Sequence, residues 1–276
     1  VRVPVRSAHG RAVRTALRRL DLVFYQSAEL RACARVLCGA APNNFAPESH
    51  VVLAHGIESP PALPADDRRE LRMKLKIGPE QCLVLFVGRL VKAKGVFELM
   101  DAIDLARRER PDIVCVMVGA QTGFDDAEEL RGRLRGVPDL FRHVQILPAC
   151  APDAVWRYLN AADLFGFPSH SEGMPNSLLE AMAMGLPAVA YEIPPVRELD
   201  GGAGVLEIVS LRDVAALARA LIELASSPER RKRLGEKGKA RVLDRYRVRT
   251  NLAEAMRRLS AVVERAPDSV SVPAAA

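Results

Sequence analysis

The feature that most constrains this 276-residue chain is a series of short, nearly unbroken apolar runs, each followed by a stretch with helical periodicity. Residues 82–88 (CLVLFVG) and 113–119 (IVCVMVG) show no polar alternation, so they suit strands covered on both faces. Between them Val96, Leu99, Met100, Ile103 and Ala106 fall on one stripe of a helix over 96–108. Further strands are expected at 143–147, 164–167, 188–191 and 205–209. A short helix from about Pro152 carries Trp156 and Leu159, and another over 176–184 is closed by Gly185 and Pro187. Strands and helices alternating in this way predict an α/β fold: a parallel sheet with helices on both faces.

Composition narrows the function classes. Apolar residues make up 49% and charged residues 27%, which excludes a disordered chain. Aromatics at 5%, with a single Trp156, argue against a stacking platform for single-stranded nucleic acid. The net charge of +6 is modest for recognition of a phosphate backbone, so no nucleic-acid partner is expected. No run reaches the roughly 18 apolar residues of a spanning helix. The five cysteines are odd in number and form no C-x-x-C pair, and Cys82 and Cys115 lie inside apolar runs. A reducing, cytoplasmic setting without a zinc site follows. The first twenty residues carry Arg2, Arg6, Arg11, Arg14, Arg18 and Arg19 and no acid. That pattern fits a transit peptide, a helix lying on the inner membrane face, or a solvated helix surface.

The chain divides unevenly. Prolines at 42, 47, 60, 61 and 64 mark a connection ahead of Asp67. Before it stand one strand, at 22–26, and helices around Val13 and Glu29, too little to bury a core alone. Residues 1–66 are therefore expected to be the remnant of an amino-terminal domain with an interdomain connection, and 67–245 the ligand-binding domain. Val1, where Met would be expected, fits a processed product or a fragment. The last third reads as helical. Ser210 with Asp213 resembles a capping box, and Ser227-Pro228-Glu229 is a second helix start. A helix within 246–265 is expected to pack back toward the amino-terminal part, followed by a disordered tail at 266–276.

Three strand ends carry candidate chemistry, since ligands of open parallel sheets gather at carboxyl ends of strands. After 82–88, Arg89 and Lys94 flank a turn bounded by Gly88 and Gly95; two cations beside a helix entrance can clamp a diphosphate, although exposed turns often look the same. After 164–167 comes PSHSEGMPNSLLE, a polar loop opening a helix. Asn176 and Glu180 share one helix face there, so Glu180 could accept hydrogen bonds from a ribose diol while Glu172 reaches a sugar; both also read as ordinary exposed acids. The third, Gly119 to Gly123, is a weak G-x-x-x-G turn where a flat base could approach. His55 and His170 are the histidines nearest a cleft, and neither has metal-ligand spacing.

Taken together, VGRLVKAKG (87–95), SEGMPNSLLEAMAMGLPAVA (171–190) and, more weakly, SSPERRKRLGEKGKARV (226–242) resemble the retaining glycosyltransferases of family 4. The resemblance implies the GT-B architecture of two facing Rossmann-like domains, with 67–245 as the carboxyl-terminal, nucleotide-sugar-binding one and 1–66 a truncated remnant of the other. It implies transfer of a sugar from a nucleotide donor, UDP-linked, to an acceptor that is lipid-linked or a saccharide, with peripheral membrane contact. Arg89 and Lys94 would bind the diphosphate, Glu172 the transferred sugar and Glu180 the ribose. The backbone from Gly173 through Met174 and Pro175 to Asn176 would hold sugar and phosphate oxygens, and Gly88 would admit the donor. No cofactor or metal is implied, because cations and helix amides take the leaving-group charge. Two alternatives compete: a sugar-nucleotide-binding fragment inactive without a partner, and a sugar-nucleotide epimerase on the same scaffold.

Overall fold

The computed structural model describes residues 8–38, 48–54, 56–58, 60–121, 123 and 125–265. They fall into two compact units, one drawn from Val1–Glu58 and Tyr246–Ala276, the other from Ser59–Arg245. His55 and the tail at 266–276 lie outside the described residues.

In the smaller unit α1 (Ala8–Arg19), β1 (Val23–Tyr25), α2 (Ala28–Cys38) and β2 (His50–Val52) follow one another. β1 and β2 pair in parallel, with Val23 opposite His50 and Tyr25 opposite Val52. The strand at 50–52 falls in the proline-rich stretch that reads as plain connection. Three residues carry no periodicity to detect; pairing with β1 is what makes them a strand. Tyr25, Ala34 and Cys38 form a small core, and the Tyr25 hydroxyl lies 2.9 Å from His50 Nδ1.

The larger unit runs α3 (Asp67–Lys74), β3 (Cys82–Val87), α4 (Val96–Glu109), β4 (Ile113–Ala120), α5 (Ala127–Gly136), β5 (Val144–Pro148), α6 (Pro152–Ala161), β6 (Leu164–Phe167), α7 (Asn176–Ala183), β7 (Ala188–Tyr191), α8 (Pro194–Asp200), β8 (Glu207–Val209), α9 (Val214–Ser226) and α10 (Pro228–Arg245). Six parallel strands stand in the order β5-β4-β3-β6-β7-β8. Both faces are covered, as the unalternated runs require. Val84 and Phe86 join α4 and α9 in the main core, while Leu83 and Leu85, pointing the other way, are equally buried. Among the helices, α3 packs on α6 and α7 on α10. Gly235 allows the last contact: a Cβ there would stand 1.9 Å from the carbonyl oxygen of Gly185. Burial pushes the Cys82 thiol up to about 12, which leaves it an inert core residue.

Helix boundaries follow their signals, with one difference. Ser227 Oγ accepts from Arg230 N–H at 3.3 Å ahead of Pro228, as expected for the second start. At α9 the cap is Asp213, whose carboxylate accepts from Ala216 N–H at 2.8 Å. Ser210 contributes only its carbonyl, to Asp213 N–H, so the expected box is a single Asp cap.

At the amino ends of the strands an ionic knot ties the layers together. Asp163, just before β6, accepts from Arg72 (2.9 Å), Arg68 (2.6 Å) and the Leu83 N–H (2.8 Å). Arg72 is buried, and it also donates to the carbonyls of Gly78, Gln81 and Ala161.

The helix α11 (Val248–Arg265) belongs to the smaller unit, where Asn251 donates to the Ala54 carbonyl at 2.8 Å and Arg247 bridges Ile57. No described helix is long and apolar enough to cross a membrane.

Candidate functional site

β3 has β4 on one side and β6 on the other, so the chain leaves the middle of the sheet in opposite directions. Such a switch point opens a crevice at the carboxyl ends of the strands. Three glycines and three hydrogen bonds set its walls. After β3, the turn Lys92–Lys94 ends at Gly95, whose φ of 68° favours glycine. A Cβ at Gly95 would lie 2.0 Å from the Pro168 carbonyl oxygen, and one at Gly119 would lie 2.0 Å from that of Gly88. The ends of β3, β4 and β6 therefore touch backbone to backbone. His170 N–H donates to the Ala93 carbonyl at 2.9 Å. Asp126 braces the other side, its carboxylate accepting from Lys92 N–H at 2.7 Å and its own N–H reaching the Leu90 carbonyl at 2.8 Å.

This apposition brings together residues 78 positions apart: Lys94 Nζ donates to both carboxylate oxygens of Glu172, at 2.6 and 2.7 Å. The pair lines a cavity of about 210 Å³ with Gly88, Arg89 and Ser177, walled by Phe86, Val87 and Phe167 and by Ser169. Arg89 is exposed.

Of the expected site residues, Gly88, Arg89, Lys94 and Glu172 thus share one cavity. Gly173, Met174, Pro175, Asn176 and Glu180 are not among its lining residues; they form the adjoining loop and the start of α7. No side chain caps α7; its Asn176 and Leu178 N–H groups donate to the carbonyls of Met174 and Pro175, at 3.0 and 3.1 Å. Asn176 is exposed, whereas Glu180, one turn on, is half-buried. Burial without an attractive partner raises the Glu180 pKa. A raised native value means that the folded state binds this proton more tightly than the unfolded chain does. Stability then declines as pH rises from the ordinary carboxylate range through the native pKa. Glu180→Gln is accordingly expected to raise Tm at pH 7, with the gain fading as the pH is lowered into the carboxylate range; thermal melts across pH 4–8 check this.

Sequence reading passed over Ser169, Ser177, Phe86 and Phe167. Ser169 matters most, being fully buried with no hydrogen-bond partner for Oγ. An unpaired buried hydroxyl costs about 1–3 kcal/mol. Nothing in its sequence surroundings signals this, because only the approach of two distant loops buries it. At the third strand end, Gly119 serves the contact with Gly88; Gln121 N–H is held by Asp125 at 2.6 Å, and Thr122 lies outside the described residues. The His170 ring stacks on Tyr191 with Nε2 2.9 Å from Glu98 Oε1, and it does not line the cavity. Among the described residues no three His, Cys, Asp or Glu side chains group closely enough to hold a metal ion.

Comparison with known proteins gives a consistent picture. Residues 67–241 match the family described as glycosyl transferases group 1. A D-inositol 3-phosphate glycosyltransferase of Streptomyces bingchenggensis is 33% identical over 211 residues, which are 72% of this chain and 45% of that protein. A GDP-mannose-dependent alpha-(1-6)-phosphatidylinositol monomannoside mannosyltransferase of Mycolicibacterium smegmatis is 30% identical, covering 93% of this chain and 69% of its own length. The chain thus spans less than half of the first of these relatives. Among solved structures, Anabaena Alr3699/HepE in complex with UDP and glucose superposes with a TM-score of 0.79 at 22% identity, over 91% of this chain and 67% of that one. A glycosyltransferase of Rickettsia africae reaches 0.82 at 16% identity, over 96% and 69%.

Proposed function

The chain belongs to the glycosyl transferases group 1 family, and on that premise we propose that it holds the donor site of a retaining, family 4 glycosyltransferase that moves a sugar from a UDP-linked donor without a metal. The observation that carries the reading is the convergence of Arg89, Lys94 and Glu172 on one cavity at the switch point of the sheet. Departure of a nucleoside diphosphate leaves a sugar with oxocarbenium character, so the main task is to stabilise charge growing on the diphosphate. Arg89 and Lys94 supply fixed positive charge for it, and the start of α7 adds the positive end of a helix dipole. Glu172 accepts hydrogen bonds from the transferred sugar. Glu180, desolvated on the next turn, accepts from the ribose diol, which offsets the burial it endures without ligand. The UDP and glucose in the Anabaena structure support a uridine donor; the GDP-mannose in the name of the mycobacterial relative makes guanosine the alternative to test.

Calorimetry with UDP, UDP-glucose, GDP and GDP-mannose tests the reading. Binding of the uridine ligands is expected, with Arg89→Ala weakening both of them about 10- to 100-fold through loss of a charge-assisted contact. If none of the four ligands binds, or if Arg89→Ala and Glu180→Ala leave affinity unchanged in folded protein, the donor-site reading is wrong. A second reading, binding without turnover, is favoured by the 45% share of the Streptomyces relative that this chain matches. A transfer assay beside the calorimetry separates the two.

A further inference from the structure

We propose that Ser169 contacts the transferred sugar directly and helps to select which sugar the site accepts; this rests on the donor-site reading above. Ser169 is 0% exposed, its Oγ has no hydrogen-bond partner, and it lines the cavity shared by Lys94 and Glu172. The lining offers it little. Phe86, Val87 and Phe167 are apolar, Lys94 Nζ is engaged by both oxygens of Glu172, and neither Arg89 nor Ser177 hydrogen-bonds to Ser169 Oγ. The serine is also held in place: the preceding Pro168 carbonyl abuts Gly95, and the following His170 N–H is bonded to Ala93. A hydroxyl both donates and accepts, so its partner is an oxygen-bearing group brought in by the ligand.

Burial says which part of the ligand that is. Arg89 is exposed, the Lys94 side chain is 25% exposed, that of Glu172 9%, and Ser169 is 0% exposed. Arg89 marks the wetter end, where a diphosphate keeps part of its hydration. The dry end presents a carboxylate whose charge is balanced by Lys94, beside an unpaired hydroxyl. That pairing suits a neutral polyol, whose hydroxyl groups donate to Glu172 and exchange hydrogen bonds with Ser169. The cavity, at about 210 Å³, is smaller than the roughly 300–1,000 Å³ of sites that enclose a whole ligand, so it takes one such moiety.

The test is Ser169→Ala, compared with the unaltered chain by calorimetry with UDP, UDP-glucose, UDP-N-acetylglucosamine, GDP and GDP-mannose, and by thermal melts without ligand. The expected result is an unchanged affinity for the bare nucleoside diphosphate and a loss of about three- to tenfold for the sugar-bearing ligand, the size of one net hydrogen bond. Tm without ligand should hold or rise, because an unpaired buried hydroxyl has been removed. Equal weakening of both ligand types would assign the hydroxyl to phosphate and overturn the proposal. Unchanged affinity for both, or a ligand-free Tm lowered by several degrees, would overturn it too, the latter by showing an internal partner. If the unaltered chain binds none of the five, the donor-site reading itself fails; binding by the unaltered chain with no selective loss in the variant sinks only the role of Ser169.

Discussion

Asp163→Ala is expected to destabilise the larger unit by about 3–5 kcal/mol. Asp163 is the common acceptor for Arg72, Arg68 and the Leu83 N–H of β3. Its removal leaves the Arg72 guanidinium, with a side chain only 8% exposed, without a counter-charge, and leaves the Leu83 N–H unpaired in the core. The cost arises from the charge left behind rather than from the bridge lost, and a paired replacement separates the two. Arg72→Met with Asp163→Leu should recover part of the stability, held back by the Gly78, Gln81 and Ala161 carbonyls that Arg72 also serves. Arg68→Ala should cost far less, about 1 kcal/mol at most, since that side chain is 41% exposed. Urea titrations read the differences directly, and in a unit of this size the Asp163→Ala loss corresponds to a fall in Tm on the order of 10 °C.

Gly95→Ala is expected to cost about 2–5 kcal/mol and, in the same step, to abolish ligand binding by the cavity. Part of the cost is the left-handed backbone at φ 68°, about 1–2 kcal/mol for a residue with a Cβ. The remainder is overpacking, about 1–3 kcal/mol, because the new methyl group would stand 2.0 Å from the Pro168 carbonyl oxygen, a backbone atom that cannot rotate away. The two loops must part. Their separation breaks the His170–Ala93 hydrogen bond and draws Lys94 away from Glu172. Gly202→Ala is the matched control: φ there is 74°, with nothing within 4 Å of the added Cβ. It should show the backbone cost alone and full binding. Melts and UDP titrations on both variants distinguish strain from loss of the site; equal stability of Gly95→Ala and the unaltered chain would refute the close contact.

Much of the fold was legible because burial on two faces leaves a mark on composition. CLVLFV and IVCVMV suit strands with cover above and below, and the 3.6-residue stripe from Val96 to Ala106 supplies part of that cover. The 188–191 strand and the stop at Gly185 were readable for similar local reasons. Elements that depend on a partner were not. His50–Val52 is a strand only because Val23–Tyr25 lies beside it, and α5, with Gly132 and Gly136 in a polar sequence, is held by packing rather than propensity. Asp213 and not a Ser210 box caps α9 because capping depends on φ and ψ at one residue.

The same division applies to the site. Local sequence chose the chemistry: cations after one strand, an acid and a helix start after another, glycines at each turn. Their meeting depended on strand order, since only the adjacency of β3 and β6 sets Lys94 against Glu172, and loops from non-neighbouring strands with identical residues would have stayed apart. Ser169 shows the limit most clearly, a common residue in a polar loop that becomes a dry, unpaired hydroxyl once Gly95 admits the Pro168 carbonyl. Side-chain identity is carried by the chain itself, but burial and the partners a polar atom lacks are properties of atoms distant in sequence, and only folding brings those within reach.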